Sequence, residues 1–377
     1  SKKYGNLKIE EILDLGIELC HEGFEINEEL YNSLNLHKEE LSGQASGYGF
    51  YRDNQPFETG KMIRRPQLGK TLELLKRNGL EYFYDSDITK SISSSVNGIL
   101  SYDDLKNFKA EWKKPLHSKI YGFDGWTSPP STQGYLTLST LKAIEMLGTE
   151  HDDIHRVIET YRIFAADRDN ITYDYGKNIK DFKGVDLDYI QEKIKLFNPN
   201  HSEKFDFPKP RGGGTAYMNT VDKNGLGVSL IQSNFHGIGS RIGVGSFGFF
   251  LHNRGCGFNL DSGHPNYLTP GRKPLHTLSP TIWSKNGNLE FIAGTRGGRY
   301  QPQLLIQTIL PYIQKSDSFE EIIKEPRWVI ENFSNDTLSK LRFEKINNED
   351  LKILLQKGHE VEVENKFNKA YGPISII

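Results

Sequence analysis

Cysteine is scarce: 377 residues contain two, Cys20 and Cys256. So wide a spacing forms no framework, which excludes a disulfide scaffold and a cysteine-type zinc site. Neither sign of charge is in excess, with 47 Lys and Arg against 49 Asp and Glu and a net charge of −2. Lacking a long basic run, the chain is not expected to have nucleic acid as a partner. Apolar runs fall far short of the roughly 20 residues that span a bilayer, so no membrane partner is expected either. No repeat or low-complexity tract is present. No apolar h-region follows Ser1-Lys2-Lys3-Tyr4, so no signal peptide is read and a cytoplasmic location is the expectation. A periplasmic or secreted location is the alternative, should an upstream segment have been removed.

What is present changes character near residue 200. Before it, apolar residues recur at helical spacing. Ile9, Ile12, Leu13, Gly16, Ile17 and Cys20 share one face, with Gly23 placed as a stop. Leu68, Leu72 and Leu75 do the same up to Asn78-Gly79. Ser101 with Asp104 reads as a capping box. Ile154, Val157, Ile158, Tyr161 and Ala165 form a further stripe, and Leu187, Ile190, Ile194 and Phe197 another. Residues 198–214 read as a long exposed loop. Hairpins follow. The stretches 216–222 and 226–233 flank Asn224-Gly225, and 281–284 and 289–293 flank Asn286-Gly287; Asn-Gly between strand-like runs is a strong hairpin signal. Helices resume at 302–313 and at 319–324, the latter capped by Ser318 and Glu321. Of the 36 glycines, 18 lie between Gly212 and Gly298. That density places backbone close to something there and directs the search for chemistry to this half.

Two motifs have bland readings. Gly243, Gly245 and Gly248 match G-x-G-x-x-G, but a dinucleotide site needs a helix after the motif, and Phe249-Phe250-Leu251 reads as a strand. A glycine-rich turn is the better reading. His151 and His155 stand four apart, a metal-ligand spacing, yet Asp152 and Asp153 are where helix N-termini favour acids. A solvated first helical turn is expected, and no metal.

The run Arg211-Gly212-Gly213-Gly214-Thr215 has a chemical reading beside that of a flexible linker. Gly214 has no Cβ, so the Thr215 hydroxyl can approach its carbonyl. Attack there gives an ester, and hydrolysis leaves Thr215 at a new chain start. Its α-amine, with a pKa of about 7.7–8.0, can then take the hydroxyl proton, making one residue both nucleophile and base. Gly297-Gly298 stands between a strand and the helix beginning near Pro302. Two consecutive glycine amides there could aim at one developing oxyanion; the other reading is a tight strand-to-helix turn.

Taken together, these motifs resemble the γ-glutamyltransferase family. The resemblance runs over nearly the whole chain. It includes Gly16 through Phe24, Pro129-Pro130-Ser131, His155 through Arg168, Gly214-Thr215, Asp222 through Gly225, Gly237 through Gly248, Pro274 through Pro280 and Gly297-Gly298. It implies an α+β fold of the N-terminal-nucleophile class, a four-layer αββα sandwich. Residues 1–214 would be the large half of a precursor and 215–377 the small half, both forming one intertwined domain. It implies catalytic roles for Thr215, Ser233 (in place of a Thr that supports the nucleophile), Gly297 and Gly298, with cleavage between Gly214 and Thr215. Phe235, Asn253, Arg254, His276 and Thr277 are the expected substrate-binding positions.

No cofactor is implied. The partners implied are a small-molecule amide or γ-glutamyl substrate and the two halves themselves as a processed heterodimer. The family's opening segment, with a carboxylate-binding arginine, and its closing residues are expected to lie outside these 377 residues. Several positions depart from glutathione-acting members. Phe235 stands where they have Asn, Arg254 where they have Gln or Glu, Gly257 where they have Asp, and His276-Thr277 where they have a Ser-Ser pair. Both groups expected to bind an α-ammonium are thereby lost. The expected activity is hydrolysis or transfer of γ-glutamyl-like or related acyl amides through a Thr acyl-enzyme. True γ-glutamyl transfer from glutathione and an uncleaved, silent homologue are the alternatives.

Overall fold

The computed structural model describes residues 3–205, 214–315, 318–331 and 340–377. They fall into two compact units, Ser1–Trp112 with His236–Asn253, and Lys113–Phe235 with Arg254–Ile377. Gly212-Gly213 and residues 206–211 of the long loop read before them lie outside the described residues.

The first unit is helical with short extended pieces. Helix α1 (Ile9–Glu22) stops at Gly23, as its sequence predicts. Helix α2 (Pro66–Asn78) starts on proline, whose missing N–H costs nothing in the first turn, and ends at Gly79. Helix α3 (Asp87–Ser95) is capped by Ser86. Two small cores form, one around Ile26, Leu34 and Leu41 and one around Ile88, Ile92 and Val244. The segment His236–Asn253 is held by side chains of its own unit. Gln44 accepts from the Gly243 N–H at 2.6 Å, and Arg65 donates to the Gly248 carbonyl at 2.7 Å. The glycine motif at 243–248 is therefore a turn closed by a single antiparallel bridge, Gly243 to Phe250. No strand–turn–helix is present there, in line with the bland reading, although Phe249-Phe250-Leu251 forms a bridge and not a strand.

The second unit is built on a five-stranded antiparallel sheet. Its strands are β1 (Leu116–Ile120), β2 (Phe123–Thr127), β5 (Thr281–Lys285), β6 (Asn288–Thr295) and β10 (Ile374–Ile376), in the order β10-β6-β5-β2-β1. Helices α4 (Tyr135–Leu147), α5 (Ile154–Ala166), α6 (Leu187–Ile194) and α7 (Gln301–Lys315) share one core with it. Trp283 of β5 and Phe291 of β6 stack at 5.6 Å in that core, fully buried. The hairpin of β3 (Gly214–Val221) and β4 (Gly227–Phe235) lies on β6 and β10. The Tyr217 ring rests on Gly294, Asn219 donates to the Ile292 carbonyl at 3.3 Å, and Ser375 donates to the Asn219 side chain at 3.2 Å. A small sheet of β7 (Trp328–Glu331), β8 (Lys340–Phe343) and β9 (Val361–Val363) completes the unit.

The chain is thus mixed α+β. Strands β1 and β2 lie in the stretch read as mainly helical, and β2 pairs directly with β5. The histidine pair also differs from expectation. Helix α5 begins at Ile154, after an Asp153 cap, so His151 lies outside it, and His155 is buried instead of solvated. No cluster of metal-binding side chains occurs among the described residues. No described helix is long and apolar enough to cross a membrane.

Candidate active site

Thr215 is the second residue of β3, at an irregularity in the β3–β4 ladder. Gly214 pairs with Phe235 and Ala216 with Gln232, so Ser233 and Asn234 together face Thr215. Such a bulge re-aims a side chain out of the strand's alternation. The Thr215 Oγ1 is buried and has no hydrogen-bond partner among the described residues. A buried hydroxyl without a partner carries a desolvation penalty, so its presence calls for an explanation.

On β4, the Ser233 hydroxyl accepts from the Phe235 N–H at 2.8 Å. That short link turns the chain, and Phe235 sits at φ +78°, a left-handed conformation rarely adopted by a bulky residue. Its ring is buried, and the Arg254 guanidinium lies 4.7 Å from the ring centre, within cation–π range. Arg254 also reaches the Ser233 carbonyl at 3.4 Å. Burial pulls its pKa down to about 10, which leaves it cationic at neutral pH.

His276 and Thr277 lie next to the Pro130-Ser131 turn. The His276 N–H donates to the Ser131 carbonyl at 3.0 Å. Burial, with Arg254 and Lys273 nearby, drives the His276 pKa down to about 3, so the imidazole is neutral. Its Nδ1 is buried without a partner among the described residues. His276 therefore adds hydrogen-bonding capacity to the site and no charge.

Gly297 and Gly298 both have positive φ, +109° and +59°, and lead through a short 3₁₀ turn into α7. A Cβ on Gly297 would lie 2.4 Å from the Tyr371 carbonyl oxygen, so only glycine fits.

Several residues that join these parts escaped the sequence reading. Gln133, fully buried just before α4, donates to the Thr277 carbonyl at 3.0 Å and to the Gly298 carbonyl at 2.9 Å. Its own oxygen accepts from Arg168 at 2.9 Å. Arg168 in turn holds Asp169 at 2.7 Å, with Arg299 3.7 Å away. Burial raises the Asp169 pKa, but the two guanidiniums outweigh it and hold the carboxyl below its usual range. Asn266 bridges the Gly257 carbonyl at 2.6 Å and the Leu275 N–H at 3.3 Å. Phe235, Gly257, Thr277, Arg168, Asp169 and Arg299 line a cavity of about 40 Å³. A roomier cavity of about 470 Å³, lined by Ile154, Trp328 and Ile374 among others, includes none of the candidate catalytic residues. Asn253 alone among the candidates falls in the first unit, where its side chain accepts from the His236 N–H at 3.0 Å.

An α+β unit with a threonine at a strand start and a glycine pair before a helix is an arrangement suited to acyl transfer. The family model for gamma-glutamyltranspeptidase matches residues 1–377, and the chain belongs to that family of enzymes. It is 28% identical, over its whole length, to the glutathione hydrolase-like YwrD proenzyme of Bacillus subtilis, covering 74% of it. It is 30% identical to the oxamate amidohydrolase proenzyme of Klebsiella pneumoniae, over 83% of this chain and 61% of the relative. Among solved structures, the cephalosporin acylase of Bacillus halodurans superimposes with a TM-score of 0.88 at 25% identity, over 100% of this chain and 71% of that one. The chain thus spans about three fifths to three quarters of the length of these relatives.

Proposed function

We propose that this chain carries a self-processing amidohydrolase or acyltransferase in which Thr215 is the nucleophile. The observation that carries the reading is the buried Thr215 Oγ1, without a hydrogen-bond partner among the described residues, at a bulge directly after Gly214. Attack of that oxygen on the Gly214 carbonyl, followed by hydrolysis, would free the Thr215 α-amine. The same oxygen would then attack a substrate amide, with the α-amine taking its proton and returning it to the leaving amine. The Gly297 and Gly298 N–H groups would stabilise the oxyanion, and Ser233 would support the nucleophile. Water or an amine then releases the acyl group. The two halves would stay together as a processed heterodimer within a four-layer αββα sandwich. The shared core of helices α4–α7 with the five-stranded sheet, and the β3–β4 hairpin lying on β6 and β10, support that reading. The proenzyme designations of the Bacillus and Klebsiella relatives support a maturing cleavage.

The test is a denaturing gel with N-terminal sequencing. Wild-type protein should run as two chains, the second beginning at Thr215, and Thr215→Ala should remain one chain without amidase activity. An active protein that stays uncut overturns the mechanism, and an uncut, inactive wild type means a silent homologue.

A further inference from the structure

The roomier cavity of the second unit, about 470 Å³, has no part in the proposed chemistry. Its volume is in the range of small-molecule sites, about 300–1,000 Å³. Most of its wall is apolar. Ile154 and Val157 stand on α5, Leu310 on α7, Trp328 on β7 and Ile374 on β10. Ile323 and Phe367 also line it, and they are 46% and 63% exposed. Apolar surface left exposed beside a cavity is a mark of ligand-binding grooves.

The cations of this cavity gather at one turn, Lys369 to Gly372. The Gly372 N–H donates to the Lys369 carbonyl at 3.3 Å. The Arg296 side chain packs on the same turn, so closely that a Cβ on Gly372 would lie 2.9 Å from its Cγ. Arg327 donates to the Gly372 carbonyl at 2.6 Å. Lys369, Arg296 and Arg327 all line the cavity, and so does one carboxylate among the described residues, Glu325. Arg327 is matched by Glu344, which accepts from its Nε at 3.0 Å and from its Nη2 at 2.5 Å. Lys369 and Arg296 against Glu325 then leave the lining with one positive charge in excess. One excess charge matches a carboxylate better than a phosphate monoester, which carries about −1.5 to −2.

We infer that this cavity binds an amphiphilic carboxylate of medium chain length, with its chain against Ile154, Leu310 and Trp328 and its head at Arg296 and Lys369. Burying the chain supplies most of the affinity, since removing apolar surface from water is favourable in proportion to its area. The head supplies selectivity, because an arginine grips a carboxylate with two parallel hydrogen bonds. No candidate catalytic residue lines the cavity, so the site is separate from that of the acyl donor.

The probes are hexanoate, octanoate and decanoate, with octanol as the uncharged control, titrated by calorimetry into the full chain. Each added methylene should tighten binding by about three- to fourfold, the worth of its burial. Octanoate should bind about tenfold or more tighter than octanol, through hydrogen bonds to charged groups. Arg296→Gln and Lys369→Gln, each shown to be folded by its thermal melt, should reduce that difference by about fivefold or more. A terminally brominated octanoate should quench the fluorescence of Trp328, and Trp328→Phe should remove that quenching. Thr215→Ala and Arg254→Gln should bind octanoate as wild type does. Absence of saturable binding overturns the site, including where another stretch of the full chain fills the cavity. Octanol that binds as tightly as octanoate overturns the carboxylate assignment. Octanoate binding that is lost in Arg254→Gln and kept in Arg296→Gln and Lys369→Gln puts the probe with the acyl donor, and overturns the separate site.

Discussion

A Cβ placed on Gly257 would lie 2.2 Å from the Leu275 carbonyl oxygen and 3.2 Å from the Pro274 Cβ. The position that the resemblance matches to an aspartate of glutathione-acting members thus has no room for one. Beside it, Arg254 stays cationic over the Phe235 ring, and His276 is neutral. Being uncharged, the imidazole does not itself repel an ammonium. The case against an α-amine rests on Gly257 and Arg254. An unpaired ammonium in a partly buried site costs several kcal/mol, whereas an arginine suits a carboxylate through two parallel hydrogen bonds. We therefore expect a donor with a terminal carboxylate and no α-amine, with glutaryl anilide hydrolysed in preference to γ-glutamyl anilide. Arg254→Gln should reduce the ratio of the two kcat/KM values by about 10- to 100-fold, the worth of a hydrogen bond to a charged group. A wild type that favours the γ-glutamyl compound, or a ratio that ignores the substitution, removes this assignment.

Between elements, the site depends on one amide. Gln133 ties the carbonyl of Thr277, ahead of β5, to the carbonyl of Gly298, after β6. Gln133→Leu keeps the bulk and removes both bonds, leaving two buried carbonyls without their donor at about 1–3 kcal/mol each. Because the Gly298 turn carries the proposed oxyanion donors, kcat should fall by about 10- to 100-fold with KM little changed. Equal kcat in the variant would mean that the turn holds its shape without Gln133.

This residue also shows where sequence reading stops. Its partners lie 144 and 165 residues away, and no local pattern reports such a bond. Helix ends at Gly23 and Gly79, the capping box at Ser101 and the Asn-Gly hairpins were legible because each signal is carried by neighbours in sequence. Strands β1 and β2 were missed because Tyr121-Gly122, both at positive φ, make the turn without an Asn-Gly pair. The candidate catalytic positions came from a resemblance in motifs. Asn266, Arg168 and Arg299 gained meaning only from the fold.

For the molecule as a whole, buried histidines set a response to acid, and His359 and His276 are the most strongly shifted of them. His359 is pushed down to about 3 by burial, with Arg162 and His155 adding to it, and His276 to about 3 likewise. Both are neutral when folded. Unfolded, each takes up a proton below a pKa of about 6.5. Between those values the unfolded chain binds protons that the folded one does not, so stability rises with pH and falls on acidification. Each histidine contributes about 1.4 kcal/mol per pH unit, and nothing above pH 6.5 or so. His359→Gln should therefore flatten the dependence of urea-unfolding stability on pH by about that slope between roughly pH 6 and 4. Parallel slopes in wild type and variant would mean that His359 is protonated in the folded protein.

The carbonyl that fills the space beside Gly257 also sets a direction in the history of such a chain. A single base change converts two of the four glycine codons to aspartate codons, so the mutation itself is easily reached. Packing makes it unproductive. Leu275 is held by Asn266, and the residues on either side of it are held by Ser131, through its hydroxyl to Pro274 and its carbonyl from His276. The acid is admissible only in a descendant whose 274–276 backbone has already shifted for other reasons. The order of substitutions is thus constrained, with a shift of the 274–276 backbone having to come before an acid at position 257.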